Sequence, residues 1–345
     1  MNHDESWMAL ALQEARKGIG RTAPNPPVGA VLVKDDVLLG CGWHQKAGMP
    51  HAEREAMADC VARHGADALR GATAYVSLEP CSTHGRTPPC VQGLIDAGIK
   101  RVVYACEDPN PHHAGRADVL LEAAGITVGK GVMRDEAQKI LRPFAKVQRT
   151  GLPWVVAKIA MSLDGRITRP EGEGQWLTGE AARKDVQLLR GEADLIMTSG
   201  ETVRRDLPSL TIREPDLLQG REQPWRLVLT NQPESLPPGA PLFLDENRHR
   251  TLVRGGDLQI ILREMVADHG VLSVMVEAGG RLVAELAKQN LLDECVIYLA
   301  PMITGGLPAM AGISVLDLAM AEAEWARIGD DVRVRARVLT DQSGR

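Results

Sequence analysis

The stretch from His51 to Cys90 constrains this chain more than any other. It opens with Pro50-His51-Ala52-Glu53 and closes with Pro80-Cys81 and, nine residues later, Cys90. One histidine and two cysteines can hold a zinc ion and leave the fourth tetrahedral position to water, which is the arrangement of a catalytic rather than a closed structural centre. Glu53 is not needed as a ligand and is free to move a proton. The fold must therefore bring side chains from three places in the segment to one point. His51 to His64 reads as a helix closed by Gly65. Ala72 to Leu78 reads as a strand that delivers Cys81 just past its end. Pro88-Pro89 starts a helix, Cys90 to Ala97, stopped by Gly98. Helix positions two apart point away from each other. His51 and Glu53 can share a centre only if His51 occupies the irregular first turn, a placement that Pro50 favours. Cys90 falls in the first turn of its own helix, where the dipole favours a thiolate.

The order His-x-Glu, Pro-Cys, Cys is the signature of zinc deaminases that act on nucleobase-like rings, except that their second Cys usually follows three residues after the first. A purely structural zinc site would want a fourth protein ligand, and His84 is a candidate for it. In the deaminase reading Glu53 takes a proton from water and passes it to the leaving amine. Asn25, held between Pro24 and Pro26, offers a donor and an acceptor to a heterocycle edge. His84, Arg86 and Asn110 are candidates for holding a phosphate. Cys41, Cys60, Cys106 and Cys295 are assigned to packing.

A length of 345 residues points to two domains, with 44% hydrophobic and 25% charged residues being ordinary for a soluble globular chain. The acidic start lacks the features of a signal peptide, and no apolar run reaches the length of a membrane span. Six scattered cysteines argue against a disulfide framework, so a cytoplasmic protein is expected. The net charge of −5, with no basic run, argues against a nucleic-acid partner and for a small-molecule substrate. A helix over residues 5–17, a hairpin of Val28–Val33 and Val37–Cys41 around Asp35-Asp36, a strand Arg101–Cys106, a helix Arg116–Ala124, a strand Ile126–Val128 and a helix Arg134–Gln148 complete the first half. Thr150-Gly151-Leu152-Pro153 marks the boundary, giving domains 1–149 and 150–345. Beyond it come strands Trp154–Ala160, Asp194–Met197, Arg226–Leu229 and Val271–Val276. Helices are expected at Ala181–Arg190, from a cap at Asp257 to Ala267, and at Leu282–Gln289. Residues 231–250 read as surface loop, and Val332–Leu339 as a strand paired at a sheet edge. Alternating strands and helices imply an α/β layer structure. Ala278-Gly279-Gly280-Arg281 opens a helix after a strand, a place that suits a phosphate.

The motifs taken together resemble the RibD family of bifunctional riboflavin-biosynthesis proteins. In the first half the resemblance rests on Pro24-Asn25-Pro26, Gly42-Trp43-His44-Gln45, Pro50-His51-Ala52-Glu53, Leu78-Glu79-Pro80-Cys81 through Gly85-Arg86-Thr87-Pro88-Pro89-Cys90, and Asp108-Pro109-Asn110-Pro111. In the second half it rests on Lys158, Ser162-Leu163-Asp164-Gly165-Arg166, Gln175-Trp176, Asp185 to Arg190, Pro208 to Arg213 and Glu277-Ala278-Gly279. The long spacing from Cys81 to Cys90 is the spacing of this family. The resemblance implies a cytidine deaminase-like three-layer domain followed by a dihydrofolate reductase-like α/β domain. It implies one zinc ion, bound by His51, Cys81 and Cys90, and NADPH. It implies deamination of 2,5-diamino-6-(5-phosphoribosylamino)pyrimidin-4-one, then reduction of the resulting 5-amino-6-(5-phosphoribosylamino)uracil to the ribitylamino product. By position, Asn25, His44, His84, Arg86 and Asn110 meet the deaminase substrate. NADPH meets Ala160, Trp176, Thr202, Asp206, Asn231 and the run Gly279, Gly280, Arg281, Leu282, Val283, Ala284 and Glu285. The reductase substrate meets Lys158, Gly174, Arg190, Leu210, Arg213 and Glu277, with Arg190 and Arg213 suited to its phosphate. A homo-oligomer is expected. Four positions depart from the family's usual residues: Gly174, Leu207, Asn231 and Gly280. The rival reading is a nucleic-acid deaminase with a non-catalytic second half; an aromatic content of 3% offers few stacking surfaces for it.

Overall fold

The computed structural model describes residues 3–83, 89–110, 114–169, 176–309 and 318–339, which divide into two compact units between Gly151 and Leu152. The first unit runs α1 (His3–Arg16), β1 (Gly29–Lys34), β2 (Val37–Trp43), α2 (Ala52–His64), β3 (Thr73–Leu78), α3 (Cys90–Asp96), β4 (Arg101–Cys106), α4 (Arg116–Ala123), β5 (Thr127–Lys130) and α5 (Arg134–Thr150). Its sheet has the order β2-β1-β3-β4-β5, with β1 antiparallel to both neighbours and β3, β4 and β5 parallel. Successive strand residues face opposite sides. Ala30, Leu32, Ala74, Val76, Val102 and Tyr104 pack under α2, α3 and α4. Val31, Val33, Tyr75, Val103 and Ala105 pack under α1 and α5. Strands covered on both faces must be apolar throughout, which is why they read as unbroken hydrophobic runs. The hairpin turns through Asp35 and Asp36, both at positive φ (49° and 59°), the backbone of a type I′ turn.

Two glycines of β2 set how closely α2 can approach. A Cβ on Gly40 would stand 2.5 Å from Ala56 O, and one on Gly42 2.4 Å from Ala56 N. With hydrogens there instead, α2 lies directly on the strand and its first turn reaches the end of β3. On the other face, Asp4 of α1 ties the helix to the sheet. Its carboxylate accepts from Arg101 Nη1 and Nη2 at 2.8 and 2.7 Å and from the Tyr75 hydroxyl at 2.7 Å.

The second unit runs β6 (Trp154–Ser162), α6 (Glu180–Glu192), β7 (Leu195–Ser199), α7 (Gly200–Asp206), α8 (Pro215–Leu218), β8 (Trp225–Leu229), α9 (Pro241–Leu244), β9 (Thr251–Arg254), α10 (Leu258–His269), β10 (Ser273–Val276), α11 (Gly280–Lys288), β11 (Glu294–Ala300), β12 (Met320–Ile328) and β13 (Asp331–Val338). The strand order is β12-β13-β11-β6-β10-β7-β8-β9. Strands β11 to β9 in that order are parallel, and β13 and β12 close the sheet antiparallel. Residues of α10 and α11 bury one face with Val155, Ala157, Val274 and Val276; α6 buries the other with Met275, Val296 and Tyr298.

The structure corrects two expectations. Val332–Leu339 was expected at a sheet edge, yet β13 is paired on both sides and β12 forms the edge. The region 231–250 was expected to be surface loop, yet it buries Leu236, Ala240 and Leu242 against Val203 and Val228. Arg226, only 1% exposed, pins this segment by donating to the Asp245 carboxylate and to Leu242 O.

Candidate functional sites

His51 is the N-cap of α2, with extended backbone (φ −73°, ψ 163°). That is the irregular position a His-x-Glu pair needs if both side chains are to face one point. Cys81 follows β3, and Cys90 is the first residue of α3. Their sulfurs each lie 3.4 Å from His51 Nδ1, and all three ligand atoms fall within 4.8 Å of one another. Bond lengths of about 2.0 Å to nitrogen and 2.3 Å to sulfur at tetrahedral angles put nitrogen and sulfur about 3.5 Å apart. The donor set therefore fits a zinc ion in spacing and in chemistry. The Cys90 backbone N–H donates to Cys81 Sγ at 3.2 Å. The Cys90 thiol, then His51, hold the Cys81 thiol down to about 4, while the same sulfur–sulfur hydrogen bond and burial push Cys90 up. Glu53, at the second position of α2, is 4% exposed. Burial, then the negative charge of Cys81, pushes its carboxyl up to about 7.

His44 lies behind this centre, its ring 5.3 Å from that of His51 and nearly perpendicular to it. Its Nδ1 stands 3.0 Å from Pro50 O, which can only accept, so Nδ1 carries the hydrogen. Nε2 is then an acceptor for Asn25 Nδ2 at 3.0 Å. Burial lowers the pKa of His44. His44, expected to touch substrate, is placed so that both of its nitrogens are used within the protein and it fixes which way the Asn25 amide faces. Glu79, quoted above only as part of a motif, has a larger part. Its buried carboxylate accepts from the backbone N–H groups of Asp108, Gly115 and Ala117 at 3.1, 3.0 and 3.1 Å. It thereby ties the turn before Cys81 to the loop that carries Asn110 and to the start of α4. The sequence signal was a carboxylate at the end of an apolar strand. Asn110 N donates to Asp108 Oδ1 at 2.8 Å, an Asx turn. His84 and Arg86 lie outside the described residues. Cys60, Cys106 and Cys295 are buried and Cys41 is half-buried.

In the second unit Val276 pairs with Ala157, so that the next residues, Glu277 and Lys158, lie side by side at the carboxyl end of β10. Arg190 Nε and Nη2 donate to the Glu277 carboxylate at 2.6 and 3.0 Å, and Nη1 donates to Thr211 O at 2.7 Å. Arg190, expected at a phosphate, directs three of its five N–H donors to these groups. Burial raises Glu277, but the charge and hydrogen bond of Arg190 together with the charges of Lys158 and Arg213 outweigh it, so the carboxyl lies below its ordinary value. Burial pushes the Lys158 ammonium down against the pull of Glu277. Arg213 N donates to Gln187 Oε1 at 2.8 Å, and Leu210 is buried. Thr202 caps the start of α7 with Ser199, its N–H donating to Ser199 Oγ at 3.2 Å. Asp206 ends that helix, and burial raises its carboxyl. Asn231 Oδ1 accepts from Gly256 N at 3.0 Å. Gly279 is the N-cap of α11 and Gly280 its first residue, with Arg281 to Glu285 following along the helix. Among the described residues, a Cβ on Gly279 would meet nothing within 4 Å. Ala160 is on β6, and Trp176 is 58% exposed. Gly174 lies outside the described residues. Thr202, Asn231, Glu277 and Gly279 gather at the carboxyl ends of parallel strands, where open α/β sheets bind ligands.

Fold and site together define a two-unit enzyme: a deaminase of the zinc-dependent cytidine-deaminase kind, followed by a reductase. Residues 1–106 match the family model described as "Cytidine and deoxycytidylate deaminase zinc-binding region", and residues 153–334 match "RibD C-terminal domain". The chain belongs to the RibD family of bifunctional riboflavin-biosynthesis enzymes. It is 41% identical to the riboflavin biosynthesis protein RibD of Escherichia coli K12, over 91% of this chain and 93% of that one. It is 39% identical to the Haemophilus influenzae protein of the same name, over 96% and 97%. Among solved structures, Acinetobacter baumannii RibD superposes with a TM-score of 0.87 at 36% identity, covering 98% of this chain and 99% of that one. A diaminohydroxyphosphoribosylaminopyrimidine deaminase/5-amino-6-(5-phosphoribosylamino)uracil reductase from Thermotoga maritima superposes at 0.86 with 31% identity, covering 97% and 99%. Among the described residues, no helix is long and apolar enough to cross a membrane.

Proposed function

We propose that the first unit removes ammonia from 2,5-diamino-6-(5-phosphoribosylamino)pyrimidin-4-one and that the second reduces 5-amino-6-(5-phosphoribosylamino)uracil with NADPH. The observation that carries the reading is the convergence of His51, Cys81 and Cys90 on one point beside the buried Glu53. The Thermotoga relative, named for these two activities, supports the choice of substrates. Zinc, when bound, supplies a Lewis acid and brings the pKa of water in its open position toward neutrality. Glu53, buried beside the three ligand residues, takes a proton from the attacking water and delivers it to the departing amine nitrogen. Asn25, oriented by His44, holds the ring edge. Asn110, with His84 and Arg86, holds the phosphoribosyl end.

NADPH, when bound, supplies hydride to the opened sugar. The start of α11 from Gly279 to Glu285, with Thr202, Asp206, Asn231, Ala160 and Trp176, forms its seat. Arg213 carries the substrate phosphate. The Arg190–Glu277 pair, with Leu210 and Gly174, shapes the substrate side. Lys158, Asp206 and Glu277 are the titratable groups placed to supply the proton that the opened sugar takes up. We place the two activities in residues 1–149 and 150–345 of a cytoplasmic homo-oligomer that does not bind nucleic acid.

The test is Glu53→Gln. It should keep zinc, lose deamination by about 10²–10⁴, and still consume NADPH when given the deaminated intermediate. Full ammonia release by the variant would remove Glu53 from catalysis. Loss of zinc would make Glu53 a ligand or a structural residue. Loss of both activities with zinc retained would overturn the assignment of separate sites.

A further inference from the structure

Arg54 follows Glu53 at the third position of α2. That is a poor place for a cation, because the positive end of the helix dipole repels it. Its guanidinium leaves α2 and lies against Gly93 of α3. A Cβ on Gly93 would stand 2.3 Å from Arg54 Cζ and 2.5 and 2.6 Å from its two terminal nitrogens. Arg54 Nη2 donates to Pro89 O at 3.2 Å. Pro89 is the N-cap of α3, and Cys90 is the first residue after it. The helical bond that Pro89 O receives from Gly93 N is long, at 3.4 Å. Arg54 thus supplies the second donor to the carbonyl at which α3 begins. Glycine inside a helix is itself disfavoured against alanine. Each residue is unfavourable where it stands, and each is explained by the other.

The contact joins the two helices that carry the metal ligands. It is made one residue after Glu53 and one residue before Cys90. The Cys90 N–H donates to Cys81 Sγ, and Cys90 Sγ lies 3.4 Å from His51 Nδ1. A shift of the start of α3 would therefore disturb both sulfurs at once.

We propose that Arg54 is a positioning residue of the metal centre, which fixes Cys90 against His51 through the Pro89 carbonyl, and that position 93 is glycine to admit its guanidinium. The inference rests on the reading that His51, Cys81 and Cys90 hold zinc. The test uses the full-length protein as Arg54→Ala, as Gly93→Ala and as both together. The first variant removes the donor and leaves a void. The second drives the guanidinium out. The double variant fills the void with a methyl group and still leaves Pro89 O without its second donor. The readouts are zinc content after purification, the rate of zinc loss to a chromophoric chelator, the visible spectrum of the cobalt-substituted protein, and the thermal midpoint. Both single variants should bind zinc about 10–100-fold more weakly, as outer-shell changes usually do, and release it correspondingly faster. The double variant should regain the thermal midpoint, yet keep the fast release and an altered cobalt spectrum. A double variant that holds zinc as the parent does would reduce Arg54 to packing and overturn the proposal. So would an Arg54→Ala variant with the parent's release rate. A parent protein that binds no zinc would remove the metal centre itself, and with it any such role.

Discussion

Replacing Glu79 by glutamine tests whether this buried carboxylate holds the loop that carries Asn110 in the deaminase unit. Glu79 is 4% exposed. Its Oε2 accepts from Asp108 N and Gly115 N, and its Oε1 from Ala117 N. Glutamine has the same shape, but one of its two ends is a donor. In its better orientation the amide oxygen keeps the two-donor side, and the NH2 faces the Ala117 N–H. One buried donor then loses its partner and the remaining two lose charge assistance. An orphaned donor costs about 1–3 kcal/mol and the weakened bonds add to it, so the variant should be destabilised by about 2–4 kcal/mol. The loss should appear as a fall in the thermal midpoint of the first unit of about 4–16 °C, at about 2–4 °C per kcal/mol for a unit of this size. The loop with Asn110 is displaced while His51, Glu53, Cys81 and Cys90 keep their own supports. The KM of deamination should therefore rise more than its kcat falls, and zinc content should stay at parent level. A variant with the parent's midpoint and KM would refute the view that these three bonds hold the loop. A variant that lost zinc would show that the loop and the Cys81 turn cannot be separated.

Leu207 ends α7 in the left-handed region (φ 46°, ψ 50°) and is 47% exposed; Leu207→Asn should stabilise the second unit by about 0.5–1 kcal/mol, read as a rise in thermal midpoint. Asp4 is held below its ordinary value of 3.8, first by Arg101. An acid with a depressed folded pKa contributes stability above its unfolded pKa and loses it as pH falls through the folded one. Asp4→Asn should therefore cost about 1 kcal/mol at neutral pH, after allowance for solvent, and the difference from the parent should shrink in urea titrations as the pH falls below the ordinary value of 3.8 and through the lower folded one. Arg213→Ala should weaken the reductase substrate by about 1.5–3 kcal/mol and leave NADPH binding unchanged in fluorescence titration.

The parts of the fold that were legible in the sequence are those whose reasons are local. The β1–β2 hairpin follows from two apolar runs around Asp35-Asp36, and α2 from its apolar spacing between Pro50 and Gly65. The demand that His51 and Glu53 share a centre placed His51 at a helix start, and it is the N-cap. The parts that were not legible have reasons elsewhere in the chain. β12, with the sequence Met-Ala-Glu-Ala-Glu-Trp-Ala-Arg-Ile, alternates only over Ala-Glu-Ala-Glu-Trp and is built largely of Ala and Glu, which are poor strand formers. It is a strand because β13 offers it a partner, with Arg337 Nε donating to Glu322 Oε1 at 3.1 Å across the pair. β11 is a short apolar run, which periodicity alone cannot tell from a buried helix. Its pairing between β6 and β13 decides it.

The same division separates the residues of the candidate site. Metal ligands and a proton carrier are legible because their chemistry dictates residue type and spacing, whatever the fold. The residues that aim them are not, because their partners are backbone groups that no sequence letter records. Glu79 is satisfied by three N–H groups contributed some thirty residues downstream, and Arg54 by a carbonyl and by the absence of a side chain at Gly93. His44 illustrates the consequence. Its place in a motif suggests a contact with substrate, and its two hydrogen bonds also make it a link between Pro50 and Asn25. A side chain that holds its neighbours in this way shapes the site through them, so substitutions at His44 should act at least in part by misplacing Asn25.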